Sequence, residues 1–234
     1  MLGIKKYIKK QETYKIIKAI LFLILIILLL IAIVAYIRAD NDKRRRQLLF
    51  FMLQYVAMLA LMLVSVFVKR KWDIKIPILL DASFVTVGFC AFILGDVVNL
   101  YGHIYLWDNF IHFLSGMVIA LVGYFIINVA VKHERITVSL SPLFLCIAIV
   151  LFAVSLAAIW EMGEYIYDDI FETNTQQFME NTTESIINDE DIPLEGHEAL
   201  KDTMHDLMLD LAGSLIVSVG VYKYEKREKI PQNM

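Results

Sequence analysis

Six runs of predominantly apolar residues follow one another along the chain, at roughly 16–37, 48–68, 77–100, 107–131, 142–167 and 203–222. A helix rises about 1.5 Å per residue, so some 20 apolar residues cross a hydrocarbon layer about 30 Å thick. The pattern therefore predicts an all-α fold, a polytopic transmembrane helical bundle of about six spans. The first run, Ile16 to Ile37, is almost wholly Ile, Leu, Ala and Val. It exceeds the apolar core of a signal peptide and has no evident small-x-small cleavage site, which predicts an uncleaved anchor. A helix apolar on every side has no polar face to present, so this span is expected to face lipid and to do no chemistry.

Composition agrees with that pattern. Of 234 residues, 59% are hydrophobic and 20% charged, where a soluble domain has about 45–50% and about 25%. Disorder, collagen and disulfide scaffolds are excluded. Cys90 and Cys146 are the only cysteines and both lie inside apolar runs, which suits buried small hydrophobes better than a redox or thiolate-metal site.

The net charge of -3 conceals an asymmetry: residues 1–80 carry 15 of the 22 Lys and Arg and only four acids, Glu12, Asp40, Asp42 and Asp73. These basic residues flank apolar spans and form no continuous stripe, which points to orientation in a membrane and not to nucleic acid. With the N-terminus inside, Lys5, Lys6, Lys9, Lys10, Lys15, Lys18, Lys69, Arg70, Lys71, Lys75, Lys132, Arg135, Lys223, Lys226, Arg227 and Lys229 fall on the cytoplasmic side. Only Arg38, Lys43, Arg44, Arg45, Arg46 and Lys201 fall outside, so both termini are expected in the cytoplasm, with the Arg44–Arg46 loop in conflict. The organisation expected is a basic tail, first anchor and basic loop over 1–47, a transmembrane bundle over 48–222 with an acidic extracytoplasmic loop at 168–201, and a basic cytoplasmic tail at 223–234.

That loop holds Asp168, Asp169, Glu172, Glu180, Glu184, Asp189, Glu190, Asp191, Glu195 and Glu198, and it lacks the Asp-x-Asp-x-Asp-Gly spacing of a calcium loop. It reads as a solvated linker. Asn181-Thr182-Thr183 matches a glycosylation acceptor, a short pattern with little specificity.

The chemistry lies in ionisable residues within the predicted helices. A carboxylate at mid-bilayer costs about 2.5–3.5 kcal/mol on insertion scales, so such groups face a protein interior or a water-filled cavity. Asp108, His112 and Ser115 share one face of the fourth span at i, i+4 and i+7. Glu161, Glu164, Tyr165 and Asp168 do so in the fifth, and Asp202, Asp206 and Asp210 in the sixth. All three stripes fall at the extracytoplasmic end. His112 lies roughly 6 Å below Asp108, Glu161 roughly 10 Å below Asp168 and Asp210 roughly 12 Å below Asp202, so the deepest groups are at similar depth. Asp96, Asn99 and His103 near the outer end of the third span are candidates for a further wall. Gly116 and Gly213 permit the close helix approach that a shared site needs.

The segments WDNFIHFLSG, WEMGEYIYDD and DTMHDLMLDLAGSL resemble the YjdF-like predicted bacterial inner-membrane proteins, over roughly Asp81 to Val221. More loosely the chain is similar to VanZ-like membrane proteins, a family associated with glycopeptide resistance, through Asp108, His112, Glu161, Asp206 and Gly213. Here Asp210 stands where an Asn is usual in that family, and no Arg precedes the last span. The resemblance implies a multi-pass protein of the bacterial inner (plasma) membrane and brings no catalytic residues with it.

Three readings of the acidic stripes compete. One is a structural polar network, as in a non-enzymatic envelope or resistance-associated membrane protein. The second is a divalent-metal site, Zn or Mn/Fe, with His112, Asp206, Asp210 and Glu161 as ligands and Asp108 and His205 in support. It would act on a lipid or lipid-linked envelope substrate, with Glu161 or Glu164 as general base. The third is proton or ion translocation. The pattern does not decide between enzyme and non-enzyme, nor whether the chain forms an oligomer. The expected partners are the bilayer and that substrate.

Overall fold

Each apolar run is helical in the computed structural model of the chain, which describes residues 2–133, 140–180, 186–187 and 189–228. The Asn181-Thr182-Thr183 pattern, Glu184, Glu134, Arg135 and Lys229, and the side chains of Lys5, Lys6, Lys9, Lys10, Lys132 and His133, lie outside what is described. The helices are α1 (Leu2–Arg38), α2 (Asp42–Trp72), α3 (Ile78–Gly88), α4 (Leu100–His103), α5 (Trp107–His133), α6 (Pro142–Phe171) and α7 (Lys201–Glu228). A π-helical stretch, Phe89–Val97, continues α3. Six of these helical segments are long and apolar enough to span a membrane, and no β-strand forms among the described residues.

Local chemistry explains the helix ends. Asn41 caps α2, its Oδ1 accepting from Arg44 N at 2.7 Å, and Asp73 closes the same helix in a left-handed conformation (φ 51°). Arg45 donates through Nε and Nη2 to the Ala39 carbonyl, so the basic loop stitches the α1–α2 turn. Ser141 caps α6 by accepting from Phe144 N at 3.1 Å, with Pro142 at the first helical position.

The chain divides into two units, 1–100 and 101–234. The first packs α1, α2 and the third span around Leu25, Ala32, Tyr55, Met58, Met62, Val85 and Ile93. One expectation is corrected here. α1 is not a purely lipid-facing anchor, because Leu25 and Ala32 are buried and its N-terminal half carries polar chemistry. Lys18 Nζ lies 2.7 Å from Asp81 Oδ2 and 3.0 Å from Ser65 Oγ, and Tyr14 donates to the same Asp81 oxygen at 2.8 Å. A cation and a carboxylate placed among apolar helices lower their desolvation cost by pairing, so Asp81 is a fastening point between spans.

The second unit packs α5, α6 and α7 on one another. Leu145, Cys146, Ile149 and Val221 form an apolar cluster, and Cys146 Sγ donates to the Ser218 carbonyl at 3.2 Å. α5 and α7 approach to backbone contact: a Cβ on Gly116 would lie 2.2 Å from Asp210 O, and one on Gly213 would lie 2.2 Å from Phe113 O. Only glycine fits at these two positions. This crossing sets α5 and α7 face to face at the level of His112 and Asp210.

The segment after α6 is not a plain solvated linker. Asp168 is buried and its carboxylate accepts four hydrogen bonds, from Thr173 Oγ1 (2.6 Å), Thr175 N (2.8 Å), Thr175 Oγ1 (2.7 Å) and Gln176 N (2.9 Å). Short antiparallel pairing follows, with Glu180 N donating to Ile192 O and Leu194 N to Phe178 O, both at 2.8 Å. Thr173, Asn174 and Ile186 are buried. The acidic character of the stretch hid this folding, because the acids that project outward outnumber the one that organises the turn.

Candidate functional site

The site is built where the first turns of α5 and α7 meet the last turns of α6. His112 is its centre. Its Nδ1 lies 3.0 Å from Asp210 Oδ2, while its Nε2 faces Asp108 Oδ1 at 3.6 Å and Asp206 Oδ2 at 3.9 Å. Ser115 Oγ stands 2.6 Å from the other Asp210 oxygen and 2.8 Å from the His112 carbonyl, so the α5 face and Asp210 hold each other. Asp206 and Asp210 are each only 2% exposed, one turn apart on the inward face of α7, followed by buried Ser214 and Ser218 on the same stripe.

Asp108, His112 and Asp206 each offer one ligand atom, and the three atoms lie within 4.8 Å of one another. Ligands at roughly 2.1 Å from a tetrahedral ion stand about 3.4 Å apart, close to the 3.6 and 3.9 Å found here. Those same distances are long for direct hydrogen bonds.

Glu161 supplies a second, independent feature. It is 5% exposed, and neither carboxyl oxygen has a hydrogen-bond partner among the described residues. His112, Asp108 and Asp210 are its electrostatic neighbours, and the Thr203 hydroxyl lies beside it. A buried carboxyl without a donor is uncommon, since such groups are nearly always satisfied.

Of the remaining sequence candidates, Glu164 borders the cluster, with Glu161, His112 and Asp108 as electrostatic neighbours, and the others fall elsewhere. Glu164 accepts from Trp160 Nε1 at 2.7 Å, one turn away along α6. His205 is exposed and lies outside the cluster, because one residue's step from buried Asp206 turns a helical side chain by about 100°. Asp168 serves the loop turn. Tyr165 is 65% exposed and faces away from the polar stripe. Asp96 and Asn99 lie in the first unit and His103 in the second. Two residues missed by spacing arguments are Gln176 and Gln177. Gln177 Nε2 donates to Asp108 Oδ2 at 2.7 Å, and Gln176 Nε2 donates to Thr203 Oγ1 at 3.1 Å. No sequence signal pointed to them, since they sit outside any span and reach the site through loop folding.

Residues 19–227 match the family described as predicted membrane protein (DUF2238). The chain belongs to this family. It is also similar to an uncharacterized protein of Thermotoga maritima, 28% identical over 136 residues, which is 58% of this chain and 57% of that relative. The match thus spans little more than half the relative's length. No solved structure matches the chain. The family is one of predicted membrane proteins of unknown function.

Proposed function

We propose that Asp108, His112 and Asp206 hold a divalent cation at the extracytoplasmic end of the second unit. The observation that carries this reading is the division of labour around His112. With Nδ1–H donating to Asp210, the neutral ring turns its Nε2 lone pair toward two carboxylates. Three acceptors facing one another repel unless a proton or a cation lies between them, and separations of 3.6 and 3.9 Å suit a shared cation better than direct hydrogen bonds. In this reading Asp108 and Asp210 exchange the roles expected from spacing: Asp108 binds directly, and Asp210 orients the ring through Nδ1, as carboxylates do behind metal-bound histidines. The mixed imidazole and carboxylate donors suit Zn, Mn or Fe.

Such a cation would supply Lewis acidity and a water of lowered pKa. Glu161, buried and with neither carboxyl oxygen hydrogen-bonded among the described residues, is the general base of this proposal. It takes a proton from the attacking water as the new oxygen bond forms at a phosphorus or carbonyl carbon of a lipid or lipid-linked envelope substrate. The proton then passes to the leaving oxygen as the old bond breaks, so the reaction is a hydrolysis, or a transfer if an alcohol replaces water. Glu164 is a weaker candidate for base, being bound to Trp160.

The Lys and Arg bias supports an extracytoplasmic site with both termini inside. The DUF2238 match supports the YjdF-like resemblance and a bacterial inner membrane, whereas the VanZ-like link rests on its motif residues alone. To test the reading, metal-loaded protein in nanodiscs of bacterial envelope lipid extract is followed by lipid mass spectrometry. A lipid consumed by wild type and untouched by Glu161→Gln is expected; identical lipid profiles for wild type and empty nanodiscs would remove the enzymatic reading.

A further inference from the structure

Asp108 is held from a second side by a residue that none of the spanning helices supplies. Gln177 donates to its Oδ2 at 2.7 Å, while Oδ1 of the same carboxyl faces His112 Nε2 at 3.6 Å. The two oxygens are thereby divided, one fixed by the loop and one presented to the site. Gln177 reaches Asp108 across 69 positions of sequence because the turn that carries it is clamped. The four hydrogen bonds to Asp168 fix Thr173 to Gln176, and Gln177 is the next residue. Its backbone adopts a left-handed conformation (φ 48°), uncommon outside glycine, with its own N–H donating to Asn174 O at 3.3 Å. Asn174 Oδ1 in turn accepts from Met179 N at 3.1 Å. The neighbouring Gln176 touches Thr203, so one turn of chain contacts the first turns of both α5 and α7.

We infer that Gln177 is a positioning residue of this site: it restrains Asp108 so that a single oxygen, Oδ1, is offered to a divalent cation shared with His112 and Asp206. The inference rests on the metal reading above. An amide suits this task better than a cationic side chain, because it satisfies one carboxyl oxygen without cancelling the negative charge that attracts the cation. A Lys or Arg at the same place would compete with the metal. Partners of this kind typically set metal affinity by about 10- to 100-fold.

The test uses the full-length protein in detergent, stripped with chelator and titrated calorimetrically with Zn²⁺ and, separately, Mn²⁺. Wild type is compared with Gln177→Ala and with Gln177→Met, which keeps side-chain length but has no donor. Gln177 is exposed, so both variants are expected to fold, with unchanged elution and thermal melting. The expected result is about one ion per chain in all three, with affinity weakened about 10- to 100-fold in both variants. Wild-type affinity in both variants would overturn the inference and leave the metal site standing. Affinity lost in Gln177→Ala but restored in Gln177→Met would also overturn it, since bulk and not the amide would then matter. Wild-type protein that binds neither ion would sink the metal reading itself, and this inference with it.

Discussion

An imidazole has two nitrogens, and the account of the site turns on which does what. Asp210 on Nδ1 acts through the ring, whereas Asp108 and Asp206 face Nε2. The two kinds of carboxylate should therefore respond differently to removal. Asp206→Ala is expected to abolish stoichiometric metal binding, and Asp210→Ala to weaken it by about 10- to 100-fold while leaving the stoichiometry intact, as read by equilibrium titration. Equal effects of the two substitutions would contradict the assignment. Helical spacing made the stripe of Asp108, His112 and Ser115 legible in the sequence, as it did Asp206 and Asp210, because i, i+4 positions share a face. It could not say which ring nitrogen each acid meets, since that depends on the rotation of two helices about a crossing. His205 illustrates the same limit: adjacency to Asp206 suggested a supporting role, and the helical turn carries it out of the cluster.

At the scale of elements, the α5–α7 crossing is the feature that brings the stripes together. Gly116→Ala or Gly213→Ala would place a methyl 2.2 Å from backbone oxygen, which no flexible side chain can relieve. Overpacking of this kind costs about 1–3 kcal/mol, occasionally more. Thermal melting in detergent should fall clearly for both, and not for Gly163→Ala, where a Cβ would meet nothing within 4 Å. Equal melting temperatures for Gly116→Ala and Gly163→Ala would argue against the close crossing. The loop after α6 gives a second prediction. Asp168→Ala leaves two threonine hydroxyls and two backbone N–H groups without their acceptor, so protease cleavage within 172–180 should accelerate while the helices stay protected. A cleavage pattern like that of wild type would count against the clamp. Both glycines were visible as helix-approach residues before the structure. The clamp was not, because an Asp followed five to eight residues later by Thr and Gln is an ordinary loop composition.

For the whole molecule, the six spans were legible because lipid demands about 20 apolar residues for each crossing and tolerates few exceptions. What the apolar count concealed was the polar fastening inside the first unit. Lys18 figured in the sequence only as one more cytoplasmic charge, yet it bridges to Asp81 and Ser65 on two other spans. Removing one partner of such a pair leaves an unpaired charge at a cost of about 3–5 kcal/mol, whereas removing both costs much less. Lys18→Met and Asp81→Asn should each lower the melting temperature, and the double variant should recover part of the loss; additive losses would contradict the pairing. The fold is thus set by apolar length, and its few polar groups are spent where they join helices or face one another at the candidate site.

The central claim is that the cluster around His112 binds a metal. Elemental analysis of detergent-purified protein, wild type beside His112→Ala and Asp206→Ala, tests it most directly. The account predicts close to one divalent transition-metal ion per chain in wild type and none in either variant. Wild-type protein that is folded, metal-free and unchanged in melting temperature by added Zn²⁺ or Mn²⁺ would contradict it and leave the cluster a structural or proton-carrying network.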